Sequence, residues 1–371
     1  MLSEKEIQSF ADTGQREKPA SLHPFVSVIM PVRNEAAFIE RSVGSVASQD
    51  YPPGRIEILI ADGMSDDATR EIVGSLQQRH PNVKLIDNPA KIVAAGLNAA
   101  LRQAKGEIIV RIDGHCEVAP DYVRQCVWHL LHTQVDAVGG PIETIGNSLT
   151  ARVIAIAMSS RFGVGGSAFR IANSGTQFTD TVAFPAYTRS VLDRGGPFDE
   201  ELVRNQDDEY NYRLRKLGVK ILLASDIRSR YYSRATLAKL ASQYFQYGYW
   251  KVRVMQKHPR QMQPRQFVPP LFVVALSAGL LLMPIFPIAG YATALIASFY
   301  AVAAIAASIH SARKSEWQLL PLLPLAFAIL HLAYGLGFLI GLVKFWNRWD
   351  ENQSQSQSRV PVPDVDKYEH V

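Results

Sequence analysis

Short apolar runs alternate with longer amphipathic stretches through the first half of the chain. Residues 26–30 read VSVIM and stop at Pro31, and residues 56–61 read IEILIA and run into Asp62-Gly63. Two further runs, 84–86 and 107–112, also look like strands. Around them, residues 36–47, 67–78, 92–104 and 121–132 predict helices. Strands separated by helices of this length predict βαβ units and a parallel sheet. Further on, 208–216 predicts a helix with Leu214 and Leu217 on its inner face, and 236–257 a longer amphipathic helix rich in aromatic residues. The pattern then changes. Residues 267–288, 291–310 and 319–343 are apolar throughout, and each approaches the length needed to cross a bilayer.

This pattern divides the chain into a polar leader (1–24), an α/β domain (25–235), an amphipathic interface helix (236–266), a transmembrane region (267–345) and a flexible tail (346–371) containing the low-complexity run QSQSQSRVPVPDV. Charge sharpens the division. With 20% charged and 47% hydrophobic residues the chain is not disordered by composition. Between Phe267 and Leu342 the only acid is Glu316, and much of the basic excess behind the net charge of +5 lies between Arg228 and Arg265. Basic residues beside apolar spans mark the cytoplasmic face of a membrane, whereas a nucleic-acid partner would call for a motif the chain does not carry. The leader has no apolar run resembling a signal peptide, so the α/β domain is expected on the cytoplasmic side. Cys116 and Cys126, ten residues apart, suggest neither a disulfide framework nor a zinc site, consistent with a reducing compartment. Topology is left in conflict. Three crossings put the tail outside, while Lys344 and Arg348 favour the inside, so one stretch could be re-entrant or interfacial.

Chemistry enters at the strand ends. Residues 107–118 read EIIVRIDGHCEV, with Asp113 and His115 flanking Gly114 where the fourth run leaves the sheet. Asp62 ends the second run, and parallel strands bring both acids to the carboxyl edge, where ligands of open α/β sheets bind. Asp62 there could hydrogen-bond a base or ribose, and Asp113 with His115 could hold a divalent cation beside a diphosphate. Magnesium prefers oxygen ligands and manganese tolerates an imidazole better, so the metal stays open between Mn2+ and Mg2+. The plain alternatives are a turn aspartate beside a surface histidine, and a simple Asp62-Gly63 turn. No Gly-x-Gly-x-x-Gly follows the first strand and no Walker phosphate loop is present, which removes the best support for hydride transfer or ATP hydrolysis.

The segments VSVIMPVRNE, IADGMSD, RIDGH and NQDDEYNYRLRKLG, in this order, resemble family-2 inverting glycosyltransferases. Within that family the chain is most similar to the subgroup containing the succinoglycan-biosynthesis glucosyltransferase, a membrane-associated enzyme of exopolysaccharide assembly. The resemblance runs from about Val26 to the third apolar span. It implies a GT-A type, Rossmann-like nucleotide-sugar-binding domain followed by an α-helical transmembrane region, and a UDP-hexose donor. It also implies that Pro31, Arg33, Asn34 and Glu35 form a nucleotide-contacting loop, with Glu35 near base or ribose, Asp62 at the base, and Lys91 and Arg111 near the diphosphate. The first loop has a plain alternative, with Pro31 stopping the strand and Asn34 or Glu35 capping the next helix. Where the family usually carries Asp-x-Asp at the metal, this chain has Asp113 and His115, so the imidazole could contact phosphate instead.

An inverting transfer needs a carboxylate to take the proton of the acceptor hydroxyl. Aligned on Asn211-Tyr212-Arg213, the resemblance implies Asp207 as that base, Gln206 in place of a preceding glutamate, and Asp208 as the alternative one residue away. Clustered acids also suit a helix N-terminus, a role Glu209 could fill, or it could pair with Arg213. Gln246, Tyr249 and Trp250 sit in QYGYW, which resembles the Gln-x-x-Arg-Trp motif of polysaccharide synthases with Tyr249 in place of arginine. These three read either as an acceptor platform or as an aromatic face at the membrane interface. The loop from Gly163 to Gly166, with Arg170, could close over the acceptor or simply connect. The expected partners are a nucleotide-sugar donor, a lipid-linked saccharide acceptor and the cytoplasmic membrane. A processive synthase is the competing reading, although three spans are few to enclose a polymer. A catalytically silent membrane scaffold is the third.

Overall fold

Strand β1, Val26–Val32, is buried along its whole length in the computed structural model, which describes residues 22–170, 175–233 and 235–349. A strand covered on both faces reads as a continuous apolar run instead of an alternating one, as the sequence here does. It is followed by α1 (Ile39–Ala47), β2 (Ile56–Asp62), α2 (Thr69–Arg79), β3 (Val83–Asp87), α3 (Val93–Gln103) and β4 (Ile108–Arg111). Next come β5 (Cys116–Val118), α4 (Tyr122–His132), β6 (Ala137–Gly140), β7 (Ile142–Ile145), α5 (Leu149–Met158) and α6 (Arg161–Val164). After β8 (Gln177–Phe178), β9 (Ala183–Thr188) and α7 (Arg189–Gly195) the chain forms α8 (Gln206–Lys216), β10 (Ile221–Leu223) and β11 (Ser229–Tyr232). Four long helices finish it: α9 (Leu237–Lys257), α10 (Val268–Leu282), α11 (Pro287–Lys314) and α12 (Leu323–Lys344).

Two compact units result. The described residues up to Glu143, with those up to Tyr231 after the interruption at 144–170, form the first. Its eight-stranded sheet has the order β3-β2-β1-β4-β9-β6-β10-β8. Strands β3, β2, β1 and β4 are parallel, as expected, but β9 runs antiparallel to both β4 and β6, so the sheet is mixed. Pro185 sits in the middle of β9, where a missing N–H would break a regular ladder. The β6 register shifts between Val138 and Gly140 opposite it, so the irregularity falls where the proline has nothing to donate. Helix α1 lays Ile39, Val43 and Val46 into the core at helical spacing.

Residues 144–170 and 232–349 make the second unit. The expected boundary kept all of 25–235 together, but 144–170, with the apolar helix α5, clusters with the C-terminal helices instead. Three helical segments here are long and apolar enough to cross a membrane: Pro264–Leu282, Pro287–Lys314 and Leu323–Lys344. They coincide with the three apolar stretches read from the sequence. The leader as far as residue 21 and the tail from residue 350 lie outside the described residues.

Candidate active site

The parallel register brings the acids to one edge. Val32 of β1 lies opposite Asp62 of β2, Asp62 opposite Asp87 of β3, and Ile29 opposite Arg111 of β4. The carboxyl ends of these strands therefore share an edge of the first unit, as the sequence pattern required.

Asp62 is fully buried there. Its carboxylate accepts from the Ser65 N–H (3.0 Å), the Ser65 hydroxyl (2.5 Å) and Arg70 Nη1 (2.7 Å), while Arg70 Nη2 reaches Asp87 at 2.8 Å. The bonds to Asp87 and Asp62 hold the Arg70 guanidinium above its ordinary pKa. Asp62 thus organises the loop after β2, with its oxygens engaged by protein donors. Neither Ser65 nor Arg70 was foreseen. An arginine one helix start after the acid has no spacing signature of its own.

The loop after β1 is tied to the same turn. Asn34 N–H donates to Ser65 Oγ (2.9 Å) and its side chain accepts from Asp66 N–H (3.1 Å). Glu35 N–H donates to Thr69 Oγ1 at 2.8 Å, and the Glu35 carbonyl accepts from Phe38 and Ile39, starting the first turn that leads into α1. The Arg33 stem lies over Gly63, where an added Cβ would sit 3.2 Å from Arg33 Cβ and 3.3 Å from the Lys91 carbonyl. Pro31, still within β1, pairs across from Ala61. Lys91 turns the chain with φ 61°, which brings its backbone against the same glycine.

At the end of β4 the Asp113-Gly114-His115 turn faces this loop. His115 Nδ1 meets Glu35 Oε1 at 2.7 Å, and its ring stands edge-on to Tyr231 with centroids 4.9 Å apart. Gly114 is required by close approach: a Cβ there would come within 2.8 Å of Val32 Cγ1 and 3.1 Å of Glu35 Cγ. The Asp113 carbonyl accepts from Ser42 Oγ and Cys116 Sγ, both at 3.1 Å, which fixes the turn from behind. Burial pushes the Cys116 thiol well up, so it stays neutral in this role.

Arg111 joins the two halves of the expected chemistry. Only 7% exposed, it donates to Asp113 Oδ1 at 3.0 Å and holds Nη1 3.7 Å from Asp207 Oδ2, while its Nε is buried without a hydrogen-bond partner among the described residues. Burial opposes its charge, but Asp113 and Asp207 outweigh that and raise its pKa further. Asp207 lies in the first turn of α8, side chain 48% exposed, and accepts from the Asp208 N–H at 2.9 Å. Asn205, with φ 62°, turns the chain into that helix, and Gln206 is buried at its start. Glu209 is buried against Arg213, bonded at 3.1 and 2.9 Å, which is the pairing the sequence suggested for it.

Gln246, Tyr249 and Trp250 belong to α9 in the second unit, all buried. Tyr249 and Trp250 pack on Phe345, with centroids 4.9 and 5.7 Å apart. This packing is observed within the second unit, and the reading of the three as an acceptor platform stands as a proposal. In the Gly163–Gly166 segment, Gly163 and Gly165 approach Ala157 and Arg265 of the same unit.

A mixed α/β sheet carrying acids on its parallel edge, an arginine between two of them and long apolar helices afterwards describe a nucleotide-sugar-dependent, GT-A-like glycosyltransferase. Residues 27–196 match the family described as Glycosyl transferase family 2. Over 323 residues the chain is 31% identical to the succinoglycan biosynthesis protein ExoA of Rhizobium meliloti (strain 1021), covering 86% of this chain and 96% of that protein. It is 27% identical over 328 residues to a dolichyl N-acetyl-α-D-glucosaminyl phosphate 3-β-D-2,3-diacetamido-2,3-dideoxy-β-D-glucuronosyltransferase of Methanococcus voltae, covering 86% and 98% of the two chains. Among solved structures, the mannosyltransferase PcManGT of Pyrobaculum calidifontis in complex with GDP-Man and Mn2+ shares the fold, with a TM-score of 0.55 at 21% identity over 92% of this chain and 93% of that one. The chain belongs to glycosyl transferase family 2 and is an enzyme of glycan biosynthesis.

Proposed function

We propose that this enzyme is an inverting hexosyltransferase that moves a hexose, glucose by its resemblance, from a UDP-sugar to a lipid-linked saccharide during exopolysaccharide assembly. Its α/β unit works on the cytoplasmic side of the inner membrane. The observation that carries the reading is Arg111, whose guanidinium meets Asp113 and Asp207, residues far apart in the chain, at one point of the sheet edge. Asp113 belongs to the donor side of the chemistry and Asp207 to the acceptor side, so donor phosphates and attacking hydroxyl would converge there.

Asp207 takes the proton of the acceptor hydroxyl as that oxygen attacks the anomeric carbon. The new carbon–oxygen bond forms on the face opposite the breaking bond to phosphate, whose electron pair leaves with the nucleoside diphosphate. The sugar is therefore delivered with inverted configuration. Arg111, between the two carboxylates, offsets their mutual repulsion and keeps Asp207 aimed. Pro31, Arg33, Asn34 and Glu35 supply the loop beside the nucleotide, and Asp62 supports it through Ser65 and Arg70. Lys91 turns the backbone behind it.

A divalent metal fits the donor set in a limited way. Among the described residues no three His, Cys, Asp or Glu side chains gather closely enough to hold an ion. Asp113 and His115 nevertheless offer a carboxylate oxygen and an Nε2 beside the expected diphosphate. Mn2+ or Mg2+ takes one or two protein ligands when phosphate oxygens and water complete its shell. Bound there, the metal would offset the charge gathering on the departing nucleoside diphosphate.

The Methanococcus relative's name describes a transferase acting on a dolichyl-phosphate-linked sugar, which supports a lipid-linked acceptor. The Rhizobium relative's succinoglycan biosynthesis supports an exopolysaccharide product. The test is a screen of labelled UDP- and GDP-sugars with the full-length protein, lipid-linked saccharides as acceptors, and Mn2+, Mg2+ or chelator. Transfer of one hexose with inverted anomeric configuration is expected. Retained configuration would refute the mechanism, a ladder of long products would favour the processive synthase, and no turnover of any donor would leave the scaffold.

A further inference from the structure

We infer that Glu35 is a positioning residue for the metal site: its carboxylate holds the His115 imidazole in the form that leaves the Nε2 lone pair for a divalent cation. This role rests on the donor-side reading proposed above, in which Asp113 and His115 lie beside the diphosphate, and it moves Glu35 away from base and ribose. Glu35 Oε1 and His115 Nδ1 are 2.7 Å apart, and the two side chains are only 17% and 15% exposed. A carboxylate accepts and does not donate, so the proton of this bond sits on Nδ1. In the neutral ring that leaves Nε2 unprotonated, as a metal ligand has to be. A carboxylate on the far nitrogen of a ligating histidine fixes both its tautomer and its orientation.

The pair is held from several directions. The Glu35 backbone is fixed by its N–H, which donates to Thr69 Oγ1 at 2.8 Å, and by its carbonyl, which accepts from the Phe38 and Ile39 N–H groups. Gly114 lets the turn settle onto the glutamate stem, where a Cβ would lie 3.1 Å from Glu35 Cγ. The Asp113 carbonyl, accepting from Ser42 Oγ and Cys116 Sγ, anchors the other end of that turn. On the ring itself, Tyr231 stands edge-on with centroids 4.9 Å apart. Turning the imidazole over would break the Glu35 bond.

Two polar atoms of the turn are left over. Arg111 takes Asp113 Oδ1 at 3.0 Å, and Glu35 takes His115 Nδ1. Asp113 Oδ2 and His115 Nε2 make no hydrogen bond to any described residue. One carboxylate oxygen and one imidazole nitrogen form a donor set for an ion whose shell is completed by phosphate oxygens and water. Glu35 is not a third ligand, because among the described residues no three His, Cys, Asp or Glu side chains gather closely enough to hold an ion.

The pairing also bears on the residue type at position 115. The aspartate that the family usually carries there would set a second carboxylate beside Glu35, and like charges at that range repel. Histidine replaces the repulsion by a hydrogen bond. Its imidazole also suits Mn2+ better than Mg2+, which prefers oxygen ligands. Glu35 and His115 therefore act as one unit, with a preference for Mn2+ as the consequence.

The test compares the full-length wild type with Glu35→Ala, Glu35→Gln and His115→Ala. Calorimetry reads the binding of UDP, and of GDP in a parallel series, with Mn2+ and with chelator. Pulsed EPR of the Mn2+–nucleotide complex reads the nitrogen coupling of a bound imidazole. Wild type should show that coupling and a gain in nucleotide affinity from Mn2+, and His115→Ala should lose the coupling. Glu35→Ala should weaken Mn2+ binding by about 10–100-fold and reduce the coupling. Its affinity in chelator should hold, which also shows that the variant is folded. Glu35→Gln keeps an acceptor for the Nδ1 proton and should restore most of both signals. Equal loss of affinity with Mn2+ and with chelator in Glu35→Ala would overturn the inference and return Glu35 to the nucleotide. Coupling retained in His115→Ala, or Glu35→Ala indistinguishable from wild type, would overturn it too. Hexose transfer by a wild type that gains nothing from Mn2+ would overturn it while the transferase stands, and binding of neither nucleotide would remove the donor site with it. The expected binding pattern without hexose transfer would strike the proposed function and leave the role of Glu35 in place.

Discussion

Replacing Asp207 by asparagine separates chemistry from binding. The substitution keeps the size and the Oδ1 acceptor for the Asp208 N–H, 2.9 Å away, so the first turn of α8 stays intact. It removes the charge that faces Arg111 at 3.7 Å, but Asp207 is half exposed and Arg111 keeps Asp113 at 3.0 Å. Solvent screening limits that loss to roughly 0.2–1 kcal/mol of stability. The catalytic loss is much larger. An amide accepts protons poorly, and losing a general base costs about 10²–10⁴-fold in rate, which is ~2.7–5.4 kcal/mol of barrier. Transfer of labelled hexose under saturating donor, with calorimetric binding of the same UDP-sugar, reads both. The rate should collapse and donor affinity should hold. Asp208→Asn should keep substantial activity. Normal turnover in Asp207→Asn with a dead Asp208→Asn would shift the base by one residue, and normal turnover in both would remove this motif from the chemistry.

Asp113→Asn should abolish the Mn2+-dependent part of UDP-sugar binding, and equal affinity with and without metal in wild type and variant would remove Asp113 from a metal site. Glu57 is buried, which alone would raise its pKa, yet bonds from Ser27 Oγ, Lys105 N–H and Lys84 hold it below its ordinary value. Its lowered folded pKa makes it contribute stability above the unfolded value near 4.5, lost as pH falls through the folded value. Glu57→Gln should therefore cost about 1–3 kcal/mol at pH 7 and flatten the acid limb of urea-unfolding stability; an unchanged limb would refute this. Gly337→Ala would put a Cβ 2.0 Å from the Phe245 carbonyl, forcing α9 and α12 apart. Such overpacking costs about 1–3 kcal/mol, and an unaltered thermal midpoint would deny the close approach.

The shared edge of Asp62 and Asp113 was legible because parallel strands leave no choice: acids ending two of them must emerge together. The apolar helices were legible for a similar reason, since length and composition alone define them. Strand β9 was not, because AFPAYT carries a proline that argues against a central strand, and only the irregularity in its pairing with β6 makes room for it. Pattern could not decide the aromatic run of α9 either. Tyr249 and Trp250 have the same spacing whether they meet a sugar, lipid headgroups or another part of the chain, and the contact of both rings with Phe345 is visible only in the structure. Arg111 was read only as lying near the diphosphate; its place between Asp113 and Asp207 depends on a contact 96 positions away along the chain, which no local pattern encodes.

The backbone itself points to the same edge. Among the described residues, five non-glycine positions have positive φ: Asn34, Met64, Lys91, Phe184 and Asn205. For L-residues this conformation costs energy, and it persists only where the surroundings over-determine it. Three of the five sit in the loops that follow β1, β2 and β3, and Asn205 immediately precedes the helix of Asp207. Each of these three is held by bonds: Asn34 by Ser65 and Asp66, the Met64 turn by the Asp62–Ser65 bonds, Lys91 by the Asn88 carbonyl. A fold seeking only stability would place glycine at such positions, as this chain does at Gly165 and Gly218. Asn34 and Lys91 lie in the loops proposed to flank the nucleotide, and Asn205 immediately precedes the helix that carries Asp207, the proposed base.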